Sequence, residues 1–263
     1  MHAVVLLKRV LDPEIPQSAF AVDPERREPL VPRAPYVLSV FDGNALEVAL
    51  RLREAVGGAC ELTALSFGPQ AAEEVLRKAL ALQCDRAVLV WGEEQGLGAR
   101  RKADILAAAL RRLPPADLVL LGRQAADWEA GQLGGMLAES LGVPCLPFVS
   151  AVRWDGEALQ AVQQLEGGTA VYRLQGPALL TVTNAGGNVL RAARIRDVMA
   201  ARGREITVFA PGELAAGDPE VPEVETLTLR VPPPRGKAEM LDGATAAERA
   251  RALLRRLGEL GAI

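Results

Sequence analysis

Short apolar runs alternate with amphipathic segments through the first 144 residues, and this alternation limits the fold more than any other feature of the chain. Four runs have the uninterrupted, branched character of strands buried on both faces of a parallel sheet: 3–7, 62–67, 87–91 and 117–121. The segments between and after them carry apolar residues at helical spacing, which predicts helices over 41–56, 70–82, 100–113 and 133–141. The chain is therefore predicted to have an α/β fold, with a mostly parallel sheet and helices on both faces.

Ligands of such sheets bind beyond the carboxyl ends of the strands, where the strand order reverses. The candidate positions are residues 6–8, 67–68 and 122–132, because each range ends or follows a predicted strand. In the last of these, a strand leads through a glycine-bearing loop into a helix, which presents free N–H groups and the positive end of a helix dipole. This arrangement predicts a site for an anion such as a nucleotide phosphate. The alternative is an ordinary strand–helix unit with a glycine-rich loop.

The pattern changes after Pro144. Two runs flank Asp155-Gly156, which is a strong hairpin signal, and two further strands follow. These four strands cover 150–154, 158–162, 169–174 and 178–183. We predict that they form an antiparallel extension of the same sheet. Near the other end of the chain, six prolines between residues 11 and 35 exclude a helix there, and Asp42 is predicted to be the N-cap of the helix that follows.

A basic segment covers residues 188–204 and is predicted to be helical. Five arginines surround a few apolar residues in it: Arg191, Arg194, Arg196, Arg202 and Arg204 around Ile195, Val198 and Met199. On a chain with a formal net charge of −3, this local density of positive charge indicates a docking patch for a partner. The alternative is a solvated helix face.

The C-terminal part is predicted to be an arm. Residues 211–236 are rich in proline, glutamate and glycine, with one predicted strand at 225–231, and an amphipathic helix is predicted at 244–260. We therefore divide the chain into an α/β domain, residues 1–210, which includes the segment 188–204, and an arm and helix, residues 211–263, that wrap another subunit.

Composition excludes several classes of function. The pI of about 5.5 argues against general binding to nucleic acid, and no apolar run approaches the length that membrane insertion needs. One histidine and three widely spaced cysteines give neither a nucleophilic triad nor a metal site, so no catalytic residue and no metal ligand is predicted. Without a signal peptide or a disulfide framework, the expected location is cytoplasmic.

Five stretches of the sequence, in this order, resemble the β-subunit family of electron transfer flavoproteins. They are 5–10 (VLLKRV), 41–52, 66–69 (SFGP), 117–138, which begins DLVLLGRQAAD, and 191–200 (RAARIRDVMA). The resemblance extends over nearly the whole chain. It implies a Rossmann-like, adenine-nucleotide-binding fold and an electron-carrier subunit that is not itself an enzyme.

The resemblance also implies a heterodimer in which an α subunit holds most of the redox FAD and this chain binds AMP as a structural nucleotide. The implied AMP-binding residues are Leu6, Ser39, Val40, Phe41, Asp42, Phe67, Gly68, Leu118, Gly122, Arg123, Gln124, Ala125, Asp127, Trp128, Glu129, Ala130, Gly131, Gln132 and Leu133. The implied docking residues are Arg191, Arg194, Ile195, Arg196 and Met199, with Ile195 at the position of the family's leucine anchor. Acyl-CoA dehydrogenases or other primary dehydrogenases are the implied donors in fatty acid oxidation, and a quinone reductase is the implied acceptor.

Two alternatives remain open. Some related complexes bind a second FAD in this subunit and bifurcate electrons from NADH, and the loop 127–132 could serve either ligand. The other alternative is a stand-alone adenine-nucleotide hydrolase or sensor. A GxxxxGK[ST] phosphate loop is absent, and Lys8-Arg9-Val10 stands where ATP-cleaving relatives carry Ser-Gly-Gly.

Overall fold

The computed structural model describes residues 1–25, 27–31, 34–94, 96–214, 224–233 and 238–263. Within the segments predicted from sequence, residues 26, 32 and 33 of the proline-rich stretch and residues 215–223 and 234–237 of the arm lie outside these ranges. The chain divides into two compact units, Met1–Leu229 and Arg230–Ile263, which are described separately.

The described elements follow the predicted alternation. The strands are β1 (His2–Leu6), β2 (Arg9–Leu11), β3 (Ala21–Asp23), β4 (Glu28–Leu30), β5 (Tyr36–Leu38), β6 (Glu61–Gly68), β7 (Arg86–Trp91), β8 (Leu118–Gly122), β9 (Cys145–Trp154), β10 (Leu159–Leu165), β11 (Gly168–Leu174), β12 (Ala178–Val182) and β13 (Thr207–Phe209). The α-helices are α1 (Val40–Ala55), α2 (Glu73–Ala81), α3 (Ala99–Leu110), α4 (Leu133–Leu141), α5 (Ile195–Ala201) and α6 (Ala246–Glu259).

The main sheet has nine strands in the order β11-β10-β9-β12-β8-β1-β6-β7-β13. All neighbours are parallel except in the β9–β10–β11 meander, which is antiparallel. The predicted α/β fold with a mostly parallel sheet and an antiparallel extension is therefore confirmed. There are also two small antiparallel pairs: β3–β4 lies within the proline-rich stretch, residues 11–35, and β2–β5 flanks it.

The prediction that residues 178–183 belong to the antiparallel piece was wrong. They form β12, which lies between β8 and β9 and pairs with both in parallel. The physical reason is burial: every residue of β12 is buried, as is typical of a central parallel strand covered on both faces.

Helices cover both faces of the sheet, as predicted. On one face, α1 and α2 bury Leu46, Leu52 and Leu76 in a core with β1 and β6. On the other face, α3 and α4 bury Leu106 and Leu137 in a second core. The sheet is therefore packed against helices on both faces.

Two local predictions about helix starts were wrong. Ser39, not Asp42, is the N-cap of α1, and Asp42 lies in the first turn with its carboxylate bonded to two strand ends instead. Of the predicted helix over 188–204, only residues 195–201 are helical, and they form α5. Before α5, the Asn188 side chain donates to the carbonyls of Ser150 and Ala185, a competing bond that holds the chain in a turn.

The predicted strand at 225–231 was also wrong. Residues 224–233 contain no strand, and in the described part of the chain no other strand pairs with them. Without a ladder partner, the alternating pattern of this stretch has no sheet to join.

The second unit is organised around α6. Its start is fixed by a capping box, in which the Thr245 side chain accepts from Glu248 N and the Glu248 carboxylate accepts from Thr245 N. No residue of α6 is buried, and Leu253, Leu254 and Leu260 are between 48% and 62% exposed. The domain boundary after residue 210 and the role of this arm stay predictions.

None of the helices in the described ranges combines the length and the apolar character that a bilayer crossing requires.

Adjacent glycines of α4 give a stability test with an internal control. A Cβ at Gly134 would overlap Thr181 Cγ2 on β12, whereas one at Gly135 would meet no atom within 4 Å. Gly134→Ala should lower the free energy of unfolding by about 1–3 kcal/mol, because the overlapping neighbour is a stiff β-branched side chain. Gly135→Ala should raise it by about 0.5–1 kcal/mol through helix propensity alone. Urea denaturation of both variants measures the difference, and equal effects would contradict this packing of α4 on β12.

Candidate functional site

The strand order reverses beside β1. From β1 the sheet continues to β6 and β7 on one side and to β8 and β12 on the other. In open α/β sheets this reversal opens a crevice at the carboxyl ends of the two flanking strands. The residues at that crevice are the end of β1, the start of α1 and the loop between β8 and α4.

Asp42 joins the two strand ends that border the crevice. Its carboxylate accepts a hydrogen bond from Lys8 N at 2.8 Å and another from Gly122 N at 2.9 Å. The Ser39 N–H donates to Lys8 O at 2.9 Å, so the start of α1 is tied to the same strand end. Burial raises the pKa of Asp42 to about 7, against the lowering effect of the two backbone donors.

Gly122 is required by the close approach of α1. A Cβ at this position would lie 2.5 Å from Phe41 Cβ and 2.8 Å from Asp42 N. No larger residue fits without moving the helix, because part of the obstruction is backbone. The first turn of α1 therefore forms one wall of the crevice directly against the end of β8.

The loop after β8 keeps a polar side chain turned towards α1. The Arg123 guanidinium lies over the Phe41 ring, 4.8 Å from its centroid, and Arg123 N donates to Val182 O at 2.8 Å. Arg123 Nε and Ser39 Oγ are buried and have no hydrogen-bond partner among the described residues. Buried polar atoms are normally satisfied, so these two are available to a ligand.

An ion-pair network bonds the loop between β8 and α4 to the neighbouring strand ends and to α3. Lys8 Nζ lies 2.6 Å from Asp127 Oδ2 and 3.4 Å from Glu94 Oε2, and Lys102 Nζ lies 3.3 Å from the same Glu94 oxygen. Burial alone would lower the pKa of Lys8, but Glu94 and Asp127 raise it above its ordinary value. The network connects the ends of β1 and β7 to α3 and to the loop. Glu94 and Lys102 were not among the predicted residues, although Glu94 follows the end of β7, where residues of a ligand site lie in this class of fold.

The rest of the loop leads into the start of α4. Trp128 is 70% exposed, and Glu129 and Gly131 have positive φ angles of 52° and 64°. Gln132 is the N-cap of α4 and makes no side-chain capping bond, so the first N–H groups of the helix have no side-chain cap from Gln132. An anion at this end of α4 would meet backbone donors and the positive end of the helix dipole.

Most of the predicted nucleotide-site residues lie at strand ends, at the start of α1 or in the loop between β8 and α4, but Leu118 does not. Leu118 is fully buried at the beginning of β8, where it pairs with Ala3 and Ala178. It lies four residues before Gly122, about 13 Å away along an extended strand. It is therefore not brought to the carboxyl edge, whereas Leu6, Phe67 and Gly68 end or approach that edge.

The predicted docking residues separate into two groups. Ile195 is 84% exposed and Met199 is 55% exposed, and Arg194 and Arg196 are exposed beside them on α5 and its N-cap. Arg191 is different, because its guanidinium is bonded to Glu47 and Glu54 of α1. All five predicted residues are therefore exposed, but the Arg191 guanidinium is held by ion pairs with α1.

Asp42 gives a prediction about pH dependence. Asp42→Asn turns an NH2 group towards one of the two N–H donors, which should cost about 1–3 kcal/mol of unfolding free energy. The pKa of about 7 in the folded protein lies above the ordinary 3.8, so the folded state binds the extra proton between these values. The stabilising contribution of Asp42 is therefore complete below about pH 4 and falls as the pH rises to about 7.

Urea unfolding of both proteins at about pH 5 and about pH 8 measures this, since only the wild type titrates at position 42. The advantage of the wild type should be smaller at the higher pH. A difference that stays constant or grows with pH would contradict the assigned pKa.

Comparison with known proteins agrees with this geometry. Residues 30–214 match the model of the electron transfer flavoprotein domain. The chain is 32% identical to the human electron transfer flavoprotein subunit beta over 89% of this chain and 90% of the human one. It is 34% identical to protein FixA of Bradyrhizobium diazoefficiens over 78% of this chain and 72% of that protein.

A third relative covers almost the full length. The chain is 30% identical to the caffeyl-CoA reductase-Etf complex subunit CarD of Acetobacterium woodii, over 98% of both chains. Because the family model covers well over half of the residues and the similarity to these relatives extends outside it, this chain belongs to the electron transfer flavoprotein family, among relatives of its beta subunit.

Proposed function

We propose that this chain is the β subunit of a heterodimeric electron transfer flavoprotein, and that it binds AMP in the crevice between β1 and β8. A partner α subunit holds most of the FAD, and this chain docks the dehydrogenases that supply electrons. The observation that carries the proposal is the crevice itself, where two strand ends meet the first turn of α1 and the loop to α4 begins.

The residues of the crevice fit an adenylate. The start of α4 and the Gln132 amide would bind the phosphate, and Arg123 Nε and Ser39 Oγ supply two further buried polar atoms that lack partners in the described chain. Phe67, at the end of β6, offers an apolar surface for the adenine. These groups bind and orient a nucleotide, which agrees with a structural role.

FAD, when bound by the complex, accepts electrons from the donor and passes them on. The residues of this chain would shape the binding surfaces around it and exclude water. The chain's single histidine is used structurally: His2 Nε2 lies 2.8 Å from Thr63 Oγ1, and Nδ1 lies 3.2 Å from Pro115 O. This supports an electron-carrier subunit without bond-making chemistry of its own.

Nucleotide extraction tests the ligand. The heterodimer purified with its native partner should release one AMP and one FAD per complex after denaturation. Gln132→Ala should lose most of the AMP, since a helix N-terminus loses an adjacent donor, whereas Gln160→Ala on the β9–β10 hairpin should retain it. A wild-type complex that releases no AMP would contradict the proposal.

The exposed face of α5 is proposed as the docking surface. Ile195, Val198 and Met199 form its apolar part, and Arg194, Arg196 and Arg202 are exposed around it. An apolar anchor within a basic rim fits a partner pocket that is apolar inside and carboxylate-rich at its edge. Acyl-CoA dehydrogenases are the proposed donors, a quinone reductase is the proposed acceptor, and the proposed location is cytoplasmic.

Truncation of the anchor tests this surface. Ile195→Ala should raise the KM of the complex for a donor acyl-CoA dehydrogenase by roughly tenfold or more, because a central apolar anchor carries much of the binding energy. AMP content and pairing with the α subunit should not change. Val171→Ala removes a 59% exposed apolar side chain from β11 and is the matched control. Unchanged reduction kinetics in Ile195→Ala would contradict the docking assignment.

A second candidate function is supported by the similarity to CarD, which covers 98% of both chains. In this alternative the crevice holds a second FAD and the complex bifurcates electrons from NADH. The extraction experiment separates the two functions, because bifurcation requires two flavins per heterodimer and no AMP.

A further inference from the structure

In the recognition segment, residues 188–204, Arg191 forms ion pairs with α1. We infer that Arg191, held by Glu47 and Glu54, is a positioning residue that fixes this segment so that Ile195 is presented to the partner in one orientation. The inference rests on the proposed docking function of α5. It adds a residue that acts through Ile195 and does not touch the partner itself.

Arg191 makes an unusually complete set of contacts with Glu47. The Glu47 carboxylate accepts from Arg191 N at 3.1 Å, from Arg191 Nε at 3.0 Å and from Arg191 Nη2 at 2.9 Å. Glu54 accepts from Arg191 Nη2 at 3.2 Å and also pairs with Nη1. Both the backbone and the side chain of Arg191 are therefore fixed to α1.

Glu47 is not an ordinary surface carboxylate, since its side chain is only 3% exposed. Burial alone would raise the pKa of Glu47, but the hydrogen bonds from Arg191 and Arg51 outweigh burial and lower it. Loss of Arg191 would leave this buried carboxylate with Arg51 alone, whose Nε lies 2.8 Å from Glu47 Oε1, so the Arg191 contact is costly to open. An exposed ion pair would not hold a segment in this way.

The recognition segment depends on such contacts because it has little structure of its own. Before α5, residues 188–194 form no helix or strand, and α5 has only seven residues, too few for an isolated helix. Leu190 packs beside Gly43 of α1: a Cβ added at position 43 would lie 3.6 Å from Leu190 Cβ. Arg191 is the charged anchor immediately before the exposed residues.

The other end of the segment is held separately. Arg77 of α2 donates to the carbonyl of Ala201 at 3.1 Å and also to that of Arg204. Arg204 donates to Cys84 O at 2.7 Å. The segment is thus bonded to α1 before α5 and to α2 after it. Loss of the Arg191 contact would free the N-terminal end of α5, where Ile195 is located. Ordering a loose segment at the moment of docking reduces affinity.

The test uses the heterodimer and compares three variants with the wild type. Arg191→Ala removes the anchor, Glu54→Gln weakens it at an exposed position that does not threaten folding, and Arg173→Ala opens an ion pair with Glu157 on the β11 meander as the control. The measurements are amide hydrogen exchange over residues 189–201 and flavin reduction by an acyl-CoA dehydrogenase that is kept reduced by its acyl-CoA substrate.

For Arg191→Ala we expect faster exchange over 189–201 and a KM for the dehydrogenase raised by roughly tenfold, with the limiting rate unchanged. Glu54→Gln should raise the exchange rate and the KM by a smaller factor, and Arg173→Ala should leave the exchange rate and the KM unchanged. A limiting rate that falls while KM stays constant would instead indicate a role in electron transfer and overturn the inference.

The result also separates this inference from the docking proposal. If Ile195→Ala raises KM but neither Arg191→Ala nor Glu54→Gln changes KM or exchange beyond twofold, positioning by Arg191 is wrong and the docking surface stands. If Ile195→Ala leaves KM unchanged, the docking surface itself is wrong. In that case positioning towards a partner is wrong with it, whatever the exchange data show.

Discussion

The candidate site depends on one buried carboxylate, that of Asp42, which bonds the ends of two neighbouring strands to α1. At a strand-order reversal, neighbouring strands lead to different faces of the sheet, and N–H groups near their carboxyl ends lose ladder partners. Asp42 supplies acceptors for two of these donors, on Lys8 and Gly122, which lie far apart in the sequence. Asp42 is buried, so the bridge carries the cost of burying a charge, and burial raises the pKa of its carboxyl. The glycine at 122 follows from the same contact, because α1 can reach the strand end only where there is no side chain.

The parts of the fold that local pattern determines were predictable from sequence. Alternating strands and helices specified a parallel sheet covered on both faces, and the Asp155-Gly156 turn specified the meander. Pairing order was not predictable, because neighbours in a sheet need not be neighbours in sequence. The sequence pattern therefore does not show that β12 is a central parallel strand, although all five of its residues are buried, as such a position requires.

The site shows the same division. The fold class predicts that ligands bind beyond strand ends, and most of the predicted residues lie there, whereas Leu118 lies at the beginning of its strand. The contacts that fix the site are long-range polar ones, which no local pattern records. Lys8 with Glu94 and Arg191 with Glu47 each join segments separated by dozens of residues. A count of arginines identified the basic segment but could not show which of them face solvent.

One helix serves both regions. The first turn of α1 borders the crevice, and Glu47 and Glu54, seven residues apart and so on one side of the helix, both bond to Arg191. A residue inserted between Asp42 and Glu47 would rotate both carboxylates by about 100° around the helix axis and carry them away from the arginine. The spacing between these positions therefore restricts insertions and deletions within α1, because both carboxylates have to stay on the side of the helix that bonds to Arg191.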